Sequence, residues 1–233
     1  MSYEHELKWK IDPPKDLGSL IERTVRPCVW PRGELEYWPH VVWYLKNRGL
    51  SPELAHANSW YPGYYHGMRI IIPARRTDRG EFWQGRLLDQ IYQGTYHIEE
   101  SGWKRWDSPH GPRGDAIVLL EPPDRRGRGV VVVEGPMDAL AAAEFGFLGV
   151  ATLGVQPNSA VLDHIASVAK KYPWFCIIPD RDELGRWAHT QAELGKRGIY
   201  GSILLPPSPY KDLAETPRES RKEMLEEWYG EQA

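Results

Sequence analysis

The spacing of apolar positions changes along the chain, and each change predicts a different kind of element. Residues 39–48, Pro-His-Val-Val-Trp-Tyr-Leu-Lys-Asn-Arg, have the apolar density of a short helix closed by Gly49 at the C-cap position. Ser51-Pro52 predicts a second helix start, with serine as N-cap and proline at the first helical position. Beyond Tyr61 the pattern turns β-like. Residues 68–73 form a β-branched run, and residues 81–88 form a second strand candidate across a turn at Asp78-Arg79-Gly80. The segment 121–129, Glu-Pro-Pro-Asp-Arg-Arg-Gly-Arg-Gly, reads as a linker.

After it, strand and helix alternate. Strands are expected at 130–133, 148–153, 174–178 and 199–205, and helices at 137–145, 160–171 and 185–196. Uninterrupted apolar strands separated by helices predict a parallel sheet covered on both faces. Thr216-Pro217-Arg218-Glu219 has the form of a capping box, so residues 217–228 should be a surface helix. These divisions define a 1–38 extension, an α+β unit at 39–125, an α/β unit at 126–215 and a terminal helix at 216–233.

Composition narrows the class. The 233 residues are 41% hydrophobic and 26% charged, the balance of a soluble globular protein, and no apolar run is long enough to span a bilayer. The start lacks a signal-peptide core, and Cys28 and Cys176 cannot form a disulfide framework, so a cytoplasmic location is expected. Charge divides along the chain. Residues 1–129 hold 19 Lys+Arg and 17 Asp+Glu, whereas residues 130–233 hold 10 and 15. Eight of the 11 Trp lie before residue 130.

The candidate chemistry is acidic. Glu134-Gly135-Pro136-Met137-Asp138 puts Glu134 at the carboxyl end of a strand and Asp138 in the first turn of the next helix. Asp180-Arg181-Asp182 follows another strand, and in extended backbone the two aspartates project to one side. Lys211-Asp212 follows a Pro-rich loop after the last strand. In an open α/β sheet these positions converge outside the strand ends. Crowded carboxylates repel and call for a cation, and an oxygen-only set without nearby His or Cys suits Mg²⁺ or Mn²⁺. His40, His97, His110, His164 and His189 are scattered, and no Gly-x-x-x-x-Gly-Lys-Ser/Thr loop is present.

As a set, Glu134-Gly135-x-x-Asp138, Asp180-x-Asp182-x-x-Gly185, the intervening Ala151-Thr152-Leu153-Gly154 and Lys211-Asp212-Leu213-Ala214-Glu215 resemble the Toprim domain of bacterial DnaG-type and phage primases. Upstream, Tyr44-Leu45 with Arg48-Gly49-Leu50-Ser51, Arg69-Ile-Ile-Ile-Pro73, Gln84-Gly85-Arg86, Lys104-Arg105-Trp106-Asp107-Ser108-Pro109 and Arg113-Gly114 are similar to the amino-terminal part of the same catalytic core. The resemblance implies a mostly parallel Toprim-type sheet flanked by helices and preceded by a smaller α+β subdomain. It implies metal ligation by Glu134, Asp138, Asp180, Asp182 and Asp212, with Glu134, Asp180 and Asp182 catalytic and Glu134 a general acid/base. It also implies contacts to template or nucleotide by Arg69, Arg86, Lys104 and Arg113. Trp103 and Trp106 beside Lys104 and Arg105 suit the bases and backbone of a single strand, and Lys211 is a further candidate for such contact. Arg75, Arg76 and Arg79 read as ordinary surface charges.

The implied activity is synthesis of RNA primers from ribonucleoside triphosphates on single-stranded DNA, with Mg²⁺ or Mn²⁺ and no zinc. Two departures bear on it. Asp115 stands where the family often has a basic residue, and the 38 residues before the core are too few and too Cys-poor for a zinc ribbon. A separate helicase or zinc-domain protein is therefore an expected partner, and no membrane is. A Toprim nuclease and a nucleic-acid-binding accessory subunit remain the alternatives.

Overall fold

Four consecutive valines form a strand at Val130–Val133, and none of them is reached by solvent. Their side chains divide between two cores. Val131 and Val133 face one apolar cluster, and Val130 and Val132 face another on the opposite side. This is the packing of a strand covered on both faces, where every position must be apolar.

The computed structural model describes residues 30–76, 81–88, 104–109, 115–124, 127–154 and 156–232. Its strands are β1 (Arg32–Gly33), β2 (Tyr61–Tyr64), β3 (Met68–Arg76), β4 (Glu81–Leu87), β5 (Trp106–Asp107), β6 (Ala116–Leu120), β7 (Val130–Val133), β8 (Leu148–Ala151), β9 (Phe175–Ile177) and β10 (Ser202–Ile203). Its α-helices are α1 (Trp38–Asn47), α2 (Pro52–Ala57), α3 (Pro136–Ala143), α4 (Ser159–Ala169), α5 (Leu184–Gly195) and α6 (Arg218–Gln232). The sheet runs β1-β2-β3-β6-β8-β7-β9-β10, with β4 and β5 branching from β3. β7 is parallel to β8 and to β9, and β9 is parallel to β10. β1 to β6 pair antiparallel, so the sheet is parallel in its carboxyl-terminal half alone.

β6 joins the two halves. Ala116 and Ile117 pair with Arg76 and Arg75 of β3, while Val118–Leu120 pair with β8 on the other edge. This strand precedes the linker and was not anticipated from the sequence, although its five apolar residues stand between Asp115 and Glu121. Local signals elsewhere act as expected. Ser51 Oγ accepts from Leu54 N at 3.1 Å with Pro52 next to it, and Gly49 ends α1 with φ +62°. One strand is shorter than expected. Residues 199–205 give only Ser202–Ile203, because Gly198 has φ +78° and Gly201 lies tight against the Phe175 backbone.

The terminal helix α6 is more than a surface helix. Leu225 and Trp228 are buried, and Trp228 packs against Phe147 with ring centroids 5.6 Å apart. Arg221, fully buried, donates to Gly49 O at 2.5 Å and so ties α6 to the end of α1. Among the described residues, no helix is long and apolar enough to cross a membrane.

Candidate active site

Glu134 is the first residue after β7, and the parallel register places it beside the end of β9, from which Asp180 follows three residues later. Gly135, with extended backbone, turns the chain into α3 behind Pro136 at its first position. The turn is close. A Cβ on Gly135 would meet Asp138 Oδ2 at 2.8 Å. Asp138 is buried, and its Oδ1 accepts from Ala214 N at 2.8 Å. That bond brings the Lys211–Glu215 segment against α3. Within it, Asp212 Oδ1 accepts from Glu215 N at 2.7 Å and Asp212 O from Thr216 Oγ1 at 2.9 Å.

The Asp180–Asp182 segment departs from the expected extended form. Asp180 is extended, but residues Arg181–Glu183 wind into a 3₁₀ turn that leads into α5. The two carboxylates nevertheless share a partner. Lys211 Nζ lies 3.5 Å from Asp180 Oδ2 and 3.2 Å from Asp182 Oδ2. Asp180 is the more enclosed, with 18% of its side chain exposed against 61% for Asp182.

Electrostatics follow from this crowding. Burial first, then the carboxylates of Asp180, Glu183 and Asp182, push Glu134 up to about 7, with Lys211 opposing. Burial and Asp212 hold Asp138 well above the usual carboxylate range, against the Ala214 N–H. Asp180 is raised by burial and by Asp212, with Lys211 opposing. The hydrogen bond to Asp182 raises Lys211.

Two neighbours were not singled out in the sequence. Glu183 extends the acidic pattern by one residue, and the 3₁₀ turn brings its charge within reach of Glu134. Arg181 stands between the two aspartates. Its side chain braces the Pro-rich loop, donating from Nε to Tyr210 O at 3.3 Å and from Nη2 to Pro206 O. Its backbone N–H donates to Lys211 O at 2.9 Å.

The donor chemistry of the acidic set fits a hard divalent cation, since all its ligating atoms are carboxylate oxygens whose charges want neutralising. The arrangement does not close on one. Among the described residues no three acidic, imidazole or thiol groups gather around a common point. Lys211 stands against the two aspartates instead.

On the basic side the candidates separate. Arg69 is fully buried and donates to the carbonyls of Tyr65 at 2.5 Å, His66 at 2.9 Å, Lys104 at 2.9 Å and Gly85 at 3.3 Å. With Asp107 Oδ2 3.8 Å from Nη2, this guanidinium ties neighbouring loops together inside the fold. Arg86 is also buried, its guanidinium 5.5 Å from the Tyr44 ring and 5.4 Å from the Trp106 ring. Lys104 and Arg105 are exposed and Trp106 is half-buried. Arg113 and Trp103 lie outside the described residues. Of the early tryptophans, Trp38, Trp60 and Trp83 are buried in the cores, while Trp43 on α1 is 53% exposed. Arg76, read as a surface charge, pairs with Asp115 at 3.8 Å.

Residues 131–216 match the Toprim-like family, so the α/β half with its acidic strand ends is a Toprim-type domain. With the strands before it, the chain has the fold of a Toprim-type primase core. It is similar to the primase fragment of the bacteriophage T7 primase-helicase protein, with TM-score 0.53 and 17% identity over 79% of this chain and 72% of that one. The *Aquifex aeolicus* primase, in its zinc-binding and RNA polymerase domains, gives TM-score 0.58 and 17% identity over 82% and 55% of the two chains. The RNA polymerase domain of *Mycobacterium tuberculosis* primase DnaG gives TM-score 0.57 and 16% identity over 82% and 75%. This chain therefore spans about half of the *Aquifex* structure. No curated protein matches it by sequence.

Proposed function

We propose that this chain is a primase catalytic core that joins ribonucleotides into short RNA primers on single-stranded DNA during replication. One observation carries the reading. Glu134, Asp180, Asp182 and Lys211 meet at the carboxyl ends of neighbouring parallel strands, in a fold shared with primase cores. Residues 39–125 supply the template side, residues 126–215 the acidic side and residues 216–233 the covering helix.

In this reading Glu134, Asp180 and Asp182 hold Mg²⁺ or Mn²⁺, with Asp138 and Asp212 in support. The ion supplies charge neutralisation for the triphosphate and for the leaving pyrophosphate. The chain's own groups do the rest. Asp138 fixes the Asp212–Thr216 segment through the Ala214 N–H, which sets where Lys211 emerges. Lys211, Lys104 and Arg105 offer cationic groups to the phosphates of nucleotide and template. The Arg86–Trp106 pair presents an aromatic surface backed by charge, suited to an unpaired base. The primer 3′-oxygen forms a bond to the α-phosphorus as the bond to pyrophosphate breaks. In this reading Glu134 also serves as the general base that takes the hydroxyl proton.

The test is primer synthesis from ribonucleotides on single-stranded DNA with Mg²⁺. Product is expected from the wild type and is lost in Asp180→Ala and Asp182→Ala. Undiminished synthesis in both variants overturns the mechanism. Strand cleavage without added nucleotides would instead identify a nuclease. Salt-sensitive strand binding without any product would identify an accessory subunit.

A further inference from the structure

The ammonium of Lys211 faces two carboxylates of the acidic cluster at once. Its Nζ lies 3.5 Å from Asp180 Oδ2 and 3.2 Å from Asp182 Oδ2. Its backbone is delivered there by several bonds. The Arg181 N–H donates to Lys211 O at 2.9 Å, and the Arg181 guanidinium holds the carbonyls of Tyr210 and Pro206 just before it. On the other side, Asp138 fixes Ala214 and Thr216 holds Asp212. The turn that carries both aspartates thus also fixes the lysine that faces them. The lysine side chain itself is 51% exposed, so its stem is free to rotate away while its backbone stays in place.

We propose that Lys211 is a built-in counter-cation that competes with a divalent ion for Asp180 and Asp182. This rests on reading the cluster as a cation site. It goes further in giving Lys211 two alternative positions, one on the aspartates and one released toward solvent and an incoming polyphosphate. The lysine keeps the two carboxylates together when no ion is present. Release of the lysine exchanges a monovalent ammonium for a divalent ion at the same oxygens, so the two aspartates keep a cationic partner in both states.

The full-length chain is titrated with Mn²⁺ alone, and free Mn²⁺ is followed by electron paramagnetic resonance at fixed pH and ionic strength. Lys211→Met is expected to bind Mn²⁺ about five- to tenfold more tightly than the wild type, the scale of an exposed ion pair removed from two ligands. Lys211→Arg, which keeps the charge, is expected to bind like the wild type. Lys196→Met, which removes a charge paired with Glu193 on another surface, controls for net charge and is expected to leave affinity unchanged. Equal or weaker binding in Lys211→Met overturns the proposal while leaving the cation site intact. Binding that persists undiminished in the Asp180→Asn, Asp182→Asn double variant, or wild-type protein without saturable binding, overturns the site reading and this proposal with it.

Discussion

A carboxyl group enclosed among other carboxyls keeps its proton to unusually high pH, and Glu134 is in that position. It titrates at about 7 in the folded chain against an ordinary 4.5. Between those values the folded state binds more protons than the unfolded one, so stability falls as pH rises through the window. Asp138 and Asp180 shift in the same direction and add to the effect. The metal-free chain is therefore expected to melt at lower temperature at about pH 8 than at about pH 5.5, with a shallower slope in Glu134→Gln. Added Mg²⁺ should raise the melting temperature more at the higher pH. A melting temperature independent of pH in the wild type would contradict this assignment. Arg69 makes the opposite point about charge. Four carbonyls accept from its guanidinium, and Arg69→Ala removes that shared donor from the fold. Urea denaturation of that variant should show a loss of about 3–5 kcal/mol, the scale of breaking a buried charged network. A folded variant of unchanged stability with weakened strand binding would instead assign Arg69 to phosphate contact.

At the level of elements, the position of Glu134 and Asp138 depends on how closely α3 lies on the sheet. Gly149 in β8 makes that approach possible, because a Cβ there would run into the Ala139 carbonyl of the helix. Gly149→Ala should cost about 1–3 kcal/mol by overpacking, read from urea denaturation, and should also lower activity by displacing the Glu134–Asp138 turn. Unchanged stability would show that α3 has room to move. The apolar strands β7, β8 and β9 and the helices between them were legible in the sequence, because a doubly covered strand leaves an uninterrupted apolar run. Other elements were not. β6 lies next to a Pro-rich segment that reads as a linker, and its partners in β3 and β8 are set by tertiary pairing. The Asp180–Asp182 turn was misread as extended because alternation in sequence cannot reveal a 3₁₀ turn.

In the whole molecule, one continuous sheet joins a Trp-rich, slightly basic half to an acidic half. Motif spacing made the acidic strand ends visible, since parallel topology alone brings them together. Motif spacing could not tell which basic residues face outward. Arg69 and Arg86 carry the same charge as Lys104 and Arg105, and only packing separates the buried pair from the exposed pair. Phosphate contact on the exposed side predicts single-strand affinity that falls steeply with salt, with Lys104→Ala reducing the slope of log affinity against log salt by roughly one. An unchanged slope would remove Lys104 from the contact. The central claim, that the acidic strand ends join ribonucleotides on a DNA template, is tested most directly by following pyrophosphate release in a mixture of chain, Mg²⁺, ribonucleoside triphosphates and single-stranded DNA. Release that requires the DNA strand, is matched by labelled RNA product and vanishes in Asp182→Ala is the predicted result. No release in the complete mixture, or release indifferent to the DNA strand and to Asp182, would contradict it.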